Sequence, residues 1–175
     1  PLTLHYDNKW HIYTGSRGQV IVDNVNVNLN NMISIIINNT TMVHAKYTFS
    51  SSSIKAKYVY NTKDKTITLT KDDIHIVLTL GSKNAIVNGT KKQLPQAPRV
   101  LKNKATNQSY IIVPGEAIAT YLGYNYSWDS KTKTSVISTK SGVLEPEKPL
   151  EPELGEDDTT PSLSDKTYLT YGILP

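Results

Sequence analysis

The sequence predicts an α+β fold, made mainly of antiparallel β-hairpins and organised as two related repeats with one short helix each. Three observations support this fold class. Apolar and polar residues alternate with a period of two in segments rich in Val, Ile, Thr and Tyr, such as residues 74–80. Polar turn dipeptides separate these segments. Residues 41–66 can be aligned with residues 111–134 when two extra residues are allowed in the first copy.

The strands are expected to be joined by tight turns. Asn, Asp and Gly tolerate the positive φ angles that two-residue hairpin turns require. The dipeptides of this kind are Asp7-Asn8, Asp23-Asn24, Asn38-Asn39, Asp72-Asp73 and Asn88-Gly89. Because such turns connect antiparallel strands, most neighbouring strands are predicted to be antiparallel.

One helix is predicted in each repeat. The stronger signal lies in residues 114–122, where Pro114 can occupy the first turn, apolar residues share one face, and Gly123 follows as the terminating glycine. In the first repeat, serines at residues 50–53 stand where the helix should finish. Because serine side chains compete for backbone hydrogen bonds, this helix is predicted to be short or irregular.

Both repeats end in the same type of motif, an aromatic residue followed by Asn or Asp and a lysine-rich turn. It covers residues 60–66 and 128–134. The aromatic residue, Tyr60 or Trp128, is expected to anchor its strand in the core while the turn reverses the chain. The repeats are predicted to span about residues 20–80 and 81–140. The residues to which these motifs assign a structural role are Val43, Tyr60, Asn88, Gly89, Val113, Pro114, Gly123, Trp128 and Asp129.

The charge is unevenly distributed. Residues 141–175 hold eight acidic residues and two lysines, so residues 1–140 carry 17 basic and seven acidic residues, a net +10. A body of this sign would attract anionic polymers such as nucleic acid, teichoic acid or acidic polysaccharide. The plainer interpretation is that lysines scattered on exposed strands keep the protein soluble.

The acidic end is predicted to be a linker. Pro146, Pro149 and Pro152 recur with a period of three among acidic residues, which favours an extended polyproline II path. Residues 141–167 are therefore predicted to form a semi-rigid, acidic, Pro-rich linker. Residues 168–175 are interpreted as a tail or the start of a truncated further domain. The alternative is a tail that docks on its own body.

Several segments match the pattern of a known family. They are Val113-Pro114, Ala119, Leu122-Gly123, Trp128-Asp129, Lys131-Thr132-Lys133-Thr134, Ala85-Ile86-Val87-Asn88-Gly89 and Ala97-Pro98. Together they resemble the N-terminal domain of copper amine oxidases. Residues 2–9 resemble versions of this module in clostridial cell-wall proteins, including some amidases. The chain departs from the family pattern at Glu116 and Thr120, where the family has Arg and Glu, and at His44 and Tyr60, where it has Pro and Trp.

The resemblance implies a noncatalytic, extracellular stalk or wall-associated module attached to another domain. Despite the family name it implies no metal, because this domain does not hold the copper of amine oxidases. The chain begins at Pro1 rather than Met and has no apolar signal segment, so we expect a secreted or cell-wall protein whose signal peptide has been removed.

Chemistry-bearing residues are few. The absence of cysteine excludes disulfides, thiolate metal sites and cysteine nucleophiles. The histidines, which are His5, His11, His44 and His75, have no Cys partner and are predicted to be solvent-facing strand residues. Asp72-Asp73 and the Asp129–Thr132 pair are expected to cap turns, and Ser16 lacks a nucleophile-elbow setting. No catalytic, cofactor-binding or metal-ligating residue is predicted, and no enzyme, although a catalytic domain could lie elsewhere in a longer chain.

The aromatic residues leave one candidate ligand platform. Tyr6, Trp10 and Tyr13 lie in the first predicted hairpin and could stack sugars, the alternative being simple hairpin packing. No apolar run approaches the length of about 18 residues that a membrane-spanning helix needs.

The sequence thus favours an extracellular stalk module of a Gram-positive bacterium. It would position or anchor a neighbouring domain at the cell wall, with wall polymer or that domain as its partner. Two alternatives remain, a nucleic-acid-binding domain that uses the basic body, which is less favoured, and an accessory domain of a cell-wall amidase. The sequence carries no signal for the oligomeric state.

Overall fold

Short strands dominate the structure, a computed structural model that describes residues 1–28 and 32–140. The predicted linker, residues 141–167, and tail, residues 168–175, lie outside the described residues. In chain order the elements are β1 (Leu2–Tyr6), β2 (Lys9–Tyr13), β3 (Gln19–Val22), β4 (Val25–Asn26), β5 (Ile35–Ile37), β6 (Thr40–His44), α1 (Ala45–Phe49), β7 (Lys57–Asn61), β8 (Thr66–Lys71), β9 (Ile74–Thr79), β10 (Asn84–Val87), β11 (Thr90–Gln93), β12 (Arg99–Asn103), β13 (Gln108–Pro114), α2 (Gly115–Tyr121), β14 (Asn125–Asp129) and β15 (Thr134–Ser138). This β-rich composition with short helices agrees with the predicted α+β class.

A six-stranded antiparallel sheet, in the order β2-β1-β12-β13-β6-β5, surrounds the smaller of two cores. The buried residues of that core are Leu4, Tyr13, Ile35, Ile37, Met42, Leu101, Tyr110 and Ile112. The two edge strands approach each other, because the Tyr13 Oη on β2 accepts a hydrogen bond from the Ile36 N–H on β5 at 3.0 Å. The sheet is therefore curled around its apolar face.

The larger core collects apolar residues from both helices and from two further sheets, in the orders β11-β10-β9-β8-β7 and β14-β15-β3-β4. In the five-stranded sheet, period-two alternation directs residues such as Leu69 and Ile76 inward, as the sequence predicts. The antiparallel prediction is confirmed for most pairs. The exception is β15, which pairs in parallel with β3 from Thr134 opposite Gln19 to Ile137 opposite Val22.

Nine of the ten predicted turn residues adopt the left-handed backbone conformation, the exception being Asp73. Positive φ angles occur at Asp7, Asn8, Asp23, Asn24, Asn38, Asn39, Asp72, Asn88 and Gly89. Most L-residues avoid this region, but Asn, Asp and Gly enter it at low cost. The prediction of tight turns at these dipeptides is therefore confirmed.

The stronger predicted helix forms as α2. Pro114 is its N-cap, with extended backbone angles, rather than a residue of the first turn. Leu122 is the C-cap, and Gly123 follows with a φ of 83°. A glycine in this position ends a helix without steric cost, as predicted.

The helix predicted for the first repeat forms as α1 and is shorter, with five residues against seven in α2. Its serine-rich exit explains the difference, because Ser50 Oγ donates to the Ala56 carbonyl and Ser51 Oγ donates to the Thr48 carbonyl. These hydrogen bonds hold the chain in a non-helical loop. The prediction of a short helix is confirmed.

The two aligned segments follow the same order of strand, helix, strand, turn and strand. β6 and β13 pair antiparallel with Val43 directly opposite Val113, two residues that the alignment matches. Burial classes agree at each aligned position of residues 41–49 and 111–119. The first residue of α2 also packs closely against β6, because a Cβ atom on Gly115 would lie 2.9 Å from Val43 Cγ1. The predicted halves are therefore joined in one sheet and are not separate bodies.

The two lysine-rich turns contain the same pattern of hydrogen bonds from the side chain to the backbone. Asn61 Oδ1 accepts from the backbone N–H groups of Lys63 and Asp64, at 2.9 and 3.1 Å. At the matching place Asp129 Oδ1 accepts from residues 131 and 132, at 2.9 and 3.3 Å. These contacts lower the pKa of Asp129, the backbone hydrogen bond from residue 132 having the largest effect. The turn role predicted for Asp129 has a direct physical basis.

The end of β15 is tied to the turn between β3 and β4. The Asp23 carboxylate accepts hydrogen bonds from the Thr139 backbone N–H, at 2.9 Å, and from the Thr139 hydroxyl. The Asp23 N–H also donates to the Ile137 carbonyl at 3.0 Å. The last described residues are thus fixed to the body of the protein.

Candidate functional site

A groove of about 640 Å³ lies beside Trp128, between β14, the start of α2 and the β5–β6 hairpin. We call it the Trp128 groove. Its lining residues are Ile36, Asn39, Thr40, Thr41, Pro95, Pro114, Glu116, Ala117, Tyr126 and Trp128. Aromatic and proline surfaces are therefore combined with several polar side chains, which is typical of small-ligand sites.

The aromatic wall of the Trp128 groove comes from one strand. Tyr126 and Trp128 are two residues apart on β14, so their side chains project from the same face. The Tyr126 ring packs against the larger core, and its Oη lies 2.8 Å from the Ser135 Oγ. Burial raises the pKa of Tyr126. The Tyr126 ring is thus held in place, while Trp128 is only partly buried.

The polar groups of this groove are accessible. Asn39 lies in the β5–β6 turn with a φ of 64°, and Glu116 lies in the first turn of α2. Within residues 1–28 and 32–140, neither side chain forms a hydrogen bond to the protein. Glu116 is the one charged residue among the lining residues, so the groove itself carries negative charge within a basic body.

A second groove, of about 410 Å³, lies beside Tyr60. We call it the Tyr60 groove. Its lining residues are Met32, His44, Lys46, Tyr47, Tyr58, Tyr60, Val100, Ser109, Tyr110 and Ile111. It combines several aromatic rings with one lysine.

Most lining residues of the two grooves occupy matching positions in or next to the aligned segments. The aromatic pair Tyr58 and Tyr60 corresponds to Tyr126 and Trp128, and the N-cap His44 corresponds to Pro114. Within the alignment, Lys46 also matches Glu116, Tyr47 matches Ala117 and Ile111 matches Thr41. In the two residues before each aligned segment, Ser109 corresponds to Asn39 and Tyr110 to Thr40 at the same spacing. The same local geometry therefore creates a groove twice, with opposite charge at the helix position.

The difference in groove size has a simple cause. In the Tyr60 groove, the His44 ring stacks on Tyr47, with centroids 4.2 Å apart, and on Tyr110, at 4.9 Å. In the Trp128 groove these three positions hold the smaller side chains of Pro114, Ala117 and Thr40. The space that the stack fills in one groove is open in the other.

His44 was predicted to face solvent, and this prediction is wrong. The residue is buried at the end of β6, and its Nδ1 accepts a hydrogen bond from the Tyr47 N–H at 3.1 Å as the N-cap of α1. Burial, and then the charge of Lys46, lower the pKa of His44 to about 4. The local sequence missed this role because histidine is an uncommon N-cap residue.

The role predicted for Trp128 as a core anchor is also wrong. Trp128 belongs to neither core cluster, and its side chain lines the groove instead. β14 is an edge strand, and Trp128 lies near its end, past the core contact that Tyr126 makes. Tyr60, at the matching position, does pack against the larger core, although it is only partly buried.

The predicted platform of Tyr6, Trp10 and Tyr13 does not exist as a single surface. The β1–β2 register places Leu2 opposite Tyr13 and His5 opposite Trp10, so Tyr13 and Trp10 project from opposite faces. Tyr13 is buried in the smaller core, whereas Trp10 is 49% exposed. Tyr6 stacks on the His11 ring at 3.8 Å. The alternative of hairpin packing is the better description.

The remaining motif residues occupy backbone-determining positions. Val43 and Val113 are fully buried where β6 meets β13. Asn88 Oδ1 accepts a hydrogen bond from the His75 N–H at 2.7 Å, and Gly89 completes that turn. No group of three His, Cys, Asp or Glu side chains that could hold a metal ion is found within the ranges the structure describes.

The family of the chain follows from a direct comparison. The family model of the copper amine oxidase N-terminal domain matches residues 21–137. The chain therefore belongs to the copper amine oxidase N-terminal domain family. The domain that defines this family is a non-catalytic accessory domain. No curated protein and no solved structure matches the chain.

The two helices are far too short to cross a bilayer. With five and seven residues they fall well below the roughly 20 residues that a membrane-spanning helix needs. This finding concerns the described residues.

Proposed function

We propose that this chain is a non-catalytic extracellular module of a Gram-positive bacterium that associates with the cell wall and positions a neighbouring domain. The family match over residues 21–137 is the observation that carries this proposal, because the family is an accessory domain. The neighbouring domain would lie in a longer chain, and a cell-wall amidase is one such arrangement.

The charge of the body supports an anionic wall polymer as the partner. Exposed lysines lie in both lysine-rich turns, at Lys63, Lys65, Lys131 and Lys133, and on the edge strand β11. Among the described residues a single ion pair is found, between Arg99 Nε and Asp7 Oδ1 at 3.4 Å. The turn lysines are therefore available to polyanions. The nucleic-acid alternative loses one support, because Tyr6, Trp10 and Tyr13 do not form a single surface on which bases could stack.

Binding to isolated cell walls tests this proposal. We expect the full chain to cosediment with Gram-positive sacculi that retain teichoic acid, and to be released when NaCl rises from about 50 to about 500 mM. Replacing Lys63, Lys65, Lys131 and Lys133 by Glu should weaken cosedimentation, whereas Arg at the same positions should preserve it. Equal binding to sacculi without teichoic acid would contradict the charge-based attachment. Preferential binding to single-stranded DNA would favour the nucleic-acid alternative.

We also propose that the two aligned segments are copies of one scaffold, which supports a structural role. Their common element order, burial pattern and turn hydrogen bonds favour this relation. The turn of the first segment can be converted into that of the second by Asn61→Asp, Thr62→Ser and Asp64→Thr. We expect this triple variant to shift the thermal midpoint by no more than about 3 °C, as measured by circular dichroism. A much larger loss would show that the two turns are not interchangeable.

A further inference from the structure

We propose that the Trp128 and Tyr60 grooves are two related binding sites for pyranose rings of a neutral oligosaccharide. The juxtaposition that carries this proposal is an aromatic pair on a strand, facing polar side chains from a hairpin and a helix start, and formed twice. The proposal goes beyond wall attachment through the basic body, because neither groove depends on the turn lysines.

The aromatic surfaces suit the apolar face of a sugar ring. The C–H groups on one face of a pyranose carry partial positive charge, and the π-face of an indole or phenol is negative. Trp128 presents such a ring at the groove surface, beside the fixed Tyr126 ring. A preformed aromatic wall adds affinity because little side-chain ordering is needed on binding.

The polar rim suits sugar hydroxyl groups. In the Trp128 groove the Asn39 amide can donate and accept, and the Glu116 carboxylate can accept. A hydroxyl group is both a donor and an acceptor, so neighbouring hydroxyls can satisfy both side chains. A proline-rich peptide would suit the aromatic wall as well, but proline has no N–H to donate to Glu116.

The charges favour a neutral ligand. The Trp128 groove contains Glu116, and the matching position of the Tyr60 groove contains Lys46. An anion would be repelled by the first groove and a cation by the second. A neutral ring is the ligand that both can accept, and a repeated groove suits a polymer of repeated units because two weak sites add through avidity.

Tryptophan fluorescence isolates one groove. The chain has two tryptophans, and Trp10 lines neither groove, so Trp10→Phe makes Trp128 the sole indole. We expect chitotetraose or cellotetraose to produce a saturable change in Trp128 emission at concentrations up to about 10 mM. The change should persist in high salt. Lys131→Glu, which lies outside both grooves, should leave this response unchanged.

Calorimetry with the full chain then counts the sites. We expect two sites per chain, one of which weakens at least about tenfold in Trp128→Ala and the other in Tyr60→Ala. Trp128→Phe keeps an aromatic face and should retain binding, and circular dichroism checks the fold of each variant. A saturable response to both tetrasaccharides with these variants unchanged would overturn the assignment to the grooves. No response to either sugar, or a response only to a peptide of residues 143–153, would overturn the proposal while leaving the salt-dependent wall attachment standing.

Discussion

Replacing Tyr13 by alanine is expected to lower the free energy of unfolding by about 3–5 kcal/mol, the range for truncation of a buried aromatic residue. Tyr13 lies in the smaller core, and its Oη joins the two edge strands of the six-stranded sheet through the Ile36 N–H. The same hydroxyl donates to the Ser16 carbonyl. Tyr13→Ala therefore removes packing and two hydrogen bonds together. Urea unfolding followed by circular dichroism measures the effect.

Two control variants separate these contributions. Tyr13→Phe keeps the ring and removes the hydroxyl, so a loss of about 1–2 kcal/mol is expected for the hydrogen bonds alone. Trp10→Ala alters the opposite, exposed face of the hairpin and should cost about 1 kcal/mol or less. Equal losses at Tyr13 and Trp10 would contradict the different burial of the two faces.

Acidification from pH 6.5 to pH 4 is expected to remove up to about 3 kcal/mol of stability through His44. Its pKa is lowered to about 4 in the fold, from 6.5. Between these values the unfolded chain binds a proton that the folded chain does not, so stability falls as the pH falls. The physical reason is burial between Tyr47 and Tyr110 beside Lys46, together with an Nδ1 that must stay unprotonated to accept the Tyr47 N–H.

The matched variant is His44→Asn. Asparagine can still accept the Tyr47 N–H as an N-cap, but it does not titrate. The difference in unfolding free energy between the parent and His44→Asn should therefore change steeply from pH 6.5 to pH 4. The three other histidines contribute equally to both proteins. A difference that stays constant over this range would refute the pKa shift.

Local structure was predictable because local chemistry determines it. Dipeptides such as Asn88-Gly89 identify turns through their tolerance of positive φ, and Gly123 ends α2 for the same reason. Ser50 and Ser51 shorten α1 through hydrogen bonds to nearby carbonyls, which a reader of the sequence can anticipate. These features depend on interactions between residues close in the chain.

The groove was not predictable, because it depends on distant contacts. Trp128 looks like a core residue in its own strand, and only the position of β14 at the sheet edge leaves it partly exposed. The neighbouring Asn39 comes from a hairpin far away in sequence, and no local pattern brings the two together. The parallel pairing of β3 with β15 was missed for the same reason. The correspondence between two aligned segments was the one available signal for a second groove.

The fastening of Thr139 to Asp23 has a mechanical consequence. A chain pulled beyond residue 140 transmits tension into β15 along its own axis, and β15 is flanked by β14 and, in parallel, by β3. Tension along paired strands loads their ladder in shear, so the hydrogen bonds resist together instead of opening one after another. The hydrogen bonds that β15 makes to β14 and β3 would therefore share such a load where the chain leaves the described body.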